Sequence, residues 1–176
     1  MKKIMLLIIL IVCLSSGFIY GVEEKVIKNY QLKNINGFRK IKSQNYQEAV
    51  KPLKKSIQLN SSYPVAHNNL GVAYYNLGQY DKAKEEFNKA IDLKDNYVKA
   101  YINLASCYFW QGNYFLAYRY YKKGKSIDDE YVEERVDIAK ARKEVKAKLK
   151  ENPNDKELRK MYKKLNGSSS LSELEK

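Results

Sequence analysis

A chain of 176 residues is long enough for one domain, and a formal net charge of +13 makes it strongly basic. Two cysteines and one histidine exclude a cysteine–histidine metal site, and only Cys107 lies beyond residue 17, so a chain cleaved there has no intrachain disulfide. The charge is uneven: residues 18–63 carry +6 and residues 132–176 carry +4, whereas residues 64–97 come to −1.

The first stretch reads as targeting, not fold. Lys2 and Lys3 precede an unbroken apolar run from Ile4 to Leu14, and Ser15-Ser16-Gly17 supplies small residues for cleavage after Gly17. That is the grammar of a secretory signal. The run is shorter than the ~20 residues that span a bilayer; counting Phe18 to Tyr20 lengthens it into an uncleaved anchor. Lipidation at Cys13 is a third reading, but Val12 stands where a lipobox has a small residue. Residues 1–21 are therefore expected to be a signal peptide or N-terminal membrane anchor. The protein is expected to be exported, to the periplasm or cell envelope or into the medium.

Between Tyr30 and Tyr131 the chain reads as three units of 34 residues, 30–63, 64–97 and 98–131. The first is the faintest. Gly37, Tyr46, Ala49 and Leu53 precede Gly71, Tyr80, Ala83 and Phe87 by one period, and Ile57 and Leu59 continue the match. Its opening helix is degenerate, with Asn36 and Lys40 where the second unit has Leu70 and Tyr74. Pro52 is expected to bend its second helix or shorten that helix's start.

The second unit is the clearest. Leu70, Ala73, Tyr74 and Leu77 recur at three- and four-residue steps and form one helical face. Gly78 permits the left-handed geometry that ends a helix, and Ala83, Phe87, Ala90 and Ile91 make the face of the next one. The small Gly71 and Ala83 let the two helices approach closely, with Phe87 filling the space beside them. The third unit repeats this with Leu104, Tyr108, Gly112, Tyr114, Ala117 and Tyr121. It places Ala105 where Gly71 stands, and Gly124 where Ala90 stands, which weakens that helix by up to about 1 kcal/mol. Cys107 and His67 occupy packing places and read as core. Tyr118, Tyr120 and Tyr121 cannot all point inward, so an exposed aromatic patch is expected on the outer face.

After Tyr131 the pattern departs. One long helix is expected over about 131–150, stopped by Pro153, with Val132, Val136 and Ala139 on one face and Ile138, Val145 and Leu149 on the other. A further helix, Asp155 to Leu165, has a single stripe of Leu158, Met161, Tyr162 and Leu165, with Asn154 as its start signal. The pair reads as a capping hairpin, and residues 167–176 as a disordered tail.

The residues Leu70-Gly71, Tyr74, Gly78, Tyr80, Ala83, Phe87 and Ala90, answered by Leu104-Ala105, Tyr108, Gly112, Tyr114, Ala117, Tyr121 and Gly124, make the chain resemble the tetratricopeptide repeat. The resemblance implies an all-α fold: a right-handed superhelical stack of antiparallel helix pairs, closed by the C-terminal capping hairpin, in one domain over 22–166. It also implies a curved trough, lined by the first helix of each unit, that the family generally uses to hold a peptide or a partner's helix. Carried across residue by residue, the lining falls on Val65, Asn68, Asn69, Val72, Tyr75 and Asn76, then on Lys99, Ile102, Asn103, Ser106, Phe109 and Trp110. Asn34, Phe38 and Ile41 are weaker candidates.

Tyr75, Phe109 and Trp110 offer the large rigid contact area that dominates interfaces, and Asn68, Asn69 and Asn103 are placed to pair with an extended ligand backbone. Chaperone-binding members of the family clamp a terminal carboxylate. Here Asn69 and Lys99 match that pattern, while Asn103, Asn34 and Phe38 do not, so no clamp is expected. The sequence thus points to a non-catalytic module with a protein or peptide partner, no cofactor and no metal. The alternative is electrostatic binding of anionic lipid, cell-wall polymer or nucleic acid through the basic ends, carried by Arg39, Lys40, Lys42, Lys51, Lys54 and Lys55 and by Arg159, Lys160, Lys163 and Lys164. Export disfavours nucleic acid. Residues 4–20 or the basic surface are the candidate routes to membrane association.

Overall fold

The computed structural model describes residues 28–166; the expected signal segment and the tail from residue 167 lie outside the described residues. Three antiparallel helix pairs follow one another: α1 (Asn29–Lys42) with α2 (Tyr46–Leu59), α3 (Pro64–Asn76) with α4 (Tyr80–Leu93), and α5 (Val98–Trp110) with α6 (Tyr114–Ile127). Three further helices close the stack: α7 (Asp129–Arg135), α8 (Ile138–Glu151) and α9 (Lys156–Asn166). No strand occurs among the described residues. The fold is the expected right-handed solenoid of helix pairs.

The repeat is visible in its turns. Gly78 (φ 72°) and Gly112 (φ 80°) end α3 and α5 in the left-handed region. The next amide then closes back across six residues: Gln79 N–H donates to the Tyr74 carbonyl and Asn113 N–H to that of Tyr108, both at 2.9 Å. Unit one makes the same turn, with Asn45 N–H on the Lys40 carbonyl at 2.8 Å, but holds Gln44 at φ 61° where the others have glycine. A side chain there is strained. Gln44→Gly is accordingly expected to stabilise the protein by about 0.5–1 kcal/mol, read as a higher urea midpoint with an unchanged slope. A lower midpoint would show that the glutamine side chain holds something the glycine cannot.

Packing within a unit depends on a missing methyl group. A Cβ on Gly71 would lie 2.5 Å from the Phe87 ring, and one on Gly37 would overlap Leu53. Phe87 and Leu53 are fully buried against them, in a core with Ala49, Leu70, Ala73, Ala83, Leu104 and Cys107. Pro52 does not shorten α2. That helix spans the same 14 residues' length as α4 and α6.

The C-terminal region differs from the single long helix expected. Asp128 has the extended backbone of Lys94 and Asn60, one and two periods earlier, and Val132 is fully buried at the place of Val98 and Pro64. A fourth unit therefore begins in register. It breaks after seven residues, at Val136 (φ −107°, ψ 104°), because the Asp137 carboxylate accepts Lys140 N–H at 2.8 Å and caps a new helix in a new direction. The start of α9 is also shifted: Asp155, not Asn154, receives the Glu157 and Leu158 amides at 2.9 and 3.0 Å. Val145 and Leu149 of α8 then form a second core with Tyr114 and with all four apolar residues of α9. No helix among the described residues is long and apolar enough to cross a membrane.

Candidate functional site

The first helices of the three units, α1, α3 and α5, lie side by side. Amide pairs join them. Asn69 donates from Nδ2 to the Asn34 Oδ1 at 2.9 Å, and Asn103 donates to the Asn68 Oδ1 at 3.0 Å. Asn34, Asn68 and Asn69 are buried, at 5–8 % exposure. The asparagines expected to meet a ligand backbone instead tie one unit to the next, a role suited to a residue that carries both a donor and an acceptor.

The accessible part of the face lies further along the helices. Val65, Val72, Tyr75, Ile102, Asn103, Ser106 and Phe109 are partly buried, whereas Asn76 and Lys99 are exposed. Asn76 bends back to the Val72 carbonyl (2.9 Å) and Ser106 to that of Ile102 (3.0 Å), each side chain donating within its own helix. Ile102 reaches inward to the gap left at Gly124. In unit one, Asn34 is buried and Ile41 packs against the core. Phe38 is exposed, with the Lys42 ammonium 5.7 Å from its ring centre.

The three large aromatics separate into different roles. Trp110 is 51 % exposed. Phe109 sits edge-on to Tyr114 at 5.5 Å and, like Ile138 and Ala141, packs against the second core. Tyr75 meets Tyr80 edge-on at 5.6 Å. Burial pushes its phenol up to about 12, with Cys107 and Tyr80 adding to the rise and a hydrogen bond from Trp110 opposing it. The Glu144 carboxylate of α8 also raises it. A helix from beyond the repeats therefore borders the groove, which the period of the sequence did not reveal. A cavity of about 340 Å³ opens between α5, α6 and this C-terminal region.

Cys107 is fully buried, and burial pushes its thiol up to about 12, so it is an inert part of the core. His67 is also buried, held by Glu86 and the Ser61 carbonyl. The crowded tyrosines do not form one outer patch. Tyr120 stacks on Tyr108 at 5.4 Å, Tyr118 packs on the second core and Tyr121 lines the cavity. The exposed outer aromatic is Phe115, with the Lys164 ammonium 5.4 Å from its ring centre.

A tetratricopeptide repeat model matches residues 64–97, and a TPR repeat model matches residues 39–78. No curated protein sequence matches the chain. Among solved structures, the first TPR of Spaghetti (RPAP3), bound to the HSP90 peptide SRMEEVD, aligns with TM-score 0.58 at 19 % identity, over 81 % of this chain and 94 % of that one. MamA aligns with TM-score 0.55 at 28 % identity, over 60 % of this chain and 61 % of that one. YrrB, described as a TPR protein with an unusual peptide-binding site, gives TM-score 0.55 at 21 % identity, over 60 % of this chain and 54 % of that one.

Proposed function

Because this chain is a tetratricopeptide-repeat protein, its first unit degenerate, we propose that it is a non-catalytic module that holds a peptide or partner protein along the face of α1, α3 and α5. The carrying observation is the half-exposed Trp110, hydrogen-bonded to Tyr75 and lining the cavity with Ser106, on a face whose units are tied together by amide pairs. Pre-ordered aromatic surface of this kind binds at low entropic cost. The peptide-bound state of the Spaghetti domains supports the reading. The Lys2-Lys3 start and the apolar run to Leu14 support export, so the module is read as an envelope scaffold or assembly factor.

The second reading is electrostatic. Lys33, Lys51 and Lys55 surround a shallow depression on the first unit, and among the described residues only their neighbour Lys40 is ion-paired there, to Glu48 at 2.6 Å. One experiment separates the two. The full chain is crosslinked and pulled down from its native cells, as wild type and as Trp110→Ala with Asn76→Arg. Phe109 is left alone because it supports the fold. A loss of at least about tenfold in captured partner, with unchanged helical circular dichroism, is expected, since central aromatics are worth about 2 kcal/mol or more. Capture that survives the double change but collapses between 50 and 300 mM salt would sink the groove reading in favour of the basic depression.

A further inference from the structure

The third unit leaves a space that the other two fill. In unit two Phe87 lies on Gly71 and is fully buried. Unit three has Ala105 at the glycine place, and this methyl group denies its counterpart ring the same seat. Tyr121 instead stays partly exposed, its ring 6.2 Å from that of Tyr118. The vacated region, walled by Ala105, Ala117 and Tyr121, is closed on its far side by Ala141, Met161 and Leu165 of the C-terminal helices.

Its mouth opens on the groove, because Ser106 and Trp110 line both. Resting on the groove reading above, we infer that this cavity is the groove's anchor pocket and takes one uncharged, bulky aliphatic or aromatic side chain of a bound peptide. The volume suits such a group: about 340 Å³ exceeds the roughly 150 Å³ that holds a benzene ring and lies at the small end of ligand sites. The charges around it exclude an ionic ligand. Arg135 is paired with Glu134 at 2.8 Å and stacked 4.1 Å over Tyr131, and the Asp137 carboxylate caps α8. That leaves Lys140 and Glu144, opposite in sign and one turn apart on α8, so an anionic or cationic head-group meets attraction and repulsion together.

The probe is a set of capped heptapeptides, acetyl-Gly-Ser-Asn-X-Asn-Ser-Gly-amide, titrated into the full chain. Trp110 is the chain's single tryptophan, so its fluorescence reads the mouth, and the Met161 methyl resonance reads the interior. X as Leu or Phe should bind at least tenfold tighter than X as Ala, with Glu and Lys weaker still, and should shift both signals. Ala141→Trp, which fills the cavity from the partly exposed α8, should reduce the Leu peptide to the Ala level; Ser106→Leu is the second variant if the first perturbs folding. Equal affinity for the Leu and Ala peptides, or a Leu peptide indifferent to both filling variants, would overturn the inference. So would a tenfold gain on deleting residues 167–176, which would make that segment, with its Leu171, the pocket's own occupant. If partner capture is lost in the Trp110/Asn76 variant while the peptides show no preference, the groove stands and the pocket alone falls.

Discussion

Phe87→Ala is expected to lower the unfolding free energy by about 3–5 kcal/mol, the cost of removing a fully buried aromatic ring and leaving its cavity. The ring lies against Gly71 and joins the two helices of the best-formed unit to the core beneath them. Gly71→Ala tests the same contact from the other side. Its methyl group would lie 2.5 Å from the ring, so a smaller loss of about 1–3 kcal/mol is expected from overpacking. Urea unfolding followed by circular dichroism measures both. In a stack where each unit leans on its neighbours, damage at the middle unit removes two interfaces at once. A loss below 1 kcal/mol for Phe87→Ala would mean that the units do not depend on this wedge.

His67→Ala should cost about 3 kcal/mol, because it leaves the buried Glu86 carboxylate and the Ser61 carbonyl without the ring they bond to. Both imidazole nitrogens face oxygen acceptors: Nδ1 meets Glu86 at 2.7 Å, and Nε2 meets the Ser61 carbonyl at 3.0 Å. Burial works to raise the Glu86 carboxyl, but the hydrogen bonds from His67 and from Lys89, at 2.8 Å, outweigh it and hold Glu86 below its ordinary 4.5. A carboxyl lowered in the folded state contributes stability above its unfolded value, and that contribution is lost as pH falls through the folded value. Wild type should therefore lose stability below about pH 4.5, and the variant, already lacking the main lowering contact, should lose less over the same interval. An unchanged acid slope in the variant would show that Lys89 alone holds the carboxylate.

The sequence disclosed the fold through residues whose shape allows few alternatives. Gly78 and Gly112 are needed for positive φ, Gly71 and Gly37 for close approach, and each recurs at the same period. The site was less legible, for two reasons. Asparagine looks the same in a sequence whether it faces water, a ligand or another asparagine, and only the side-by-side packing of the helices distinguishes the Asn34–Asn69 and Asn68–Asn103 pairs from ligand contacts. The end of the repeats was obscured by Val136, which extends the apolar spacing of one helix, while the next residue, Asp137, starts another. A local capping bond outweighed periodicity there. Asp137 directly ahead of Ile138 is the signal the sequence carries for that new start. The cavity followed from the Ala105 and Tyr121 exchanges, whose joint effect depends on a contact three-dimensional packing creates.

The break at Val136–Asp137 has a consequence for assembly. A solenoid whose final unit matched its first would present complementary ends, and copies could join head to tail without limit. Here the trailing end is covered by a helix laid in another direction, with Val145 and Leu149 already sealed against α9. The leading end keeps Leu32 and Phe38 about half exposed, at 50 % and 43 %. The two described ends therefore differ in make, and open-ended head-to-tail joining of copies is not expected of this array.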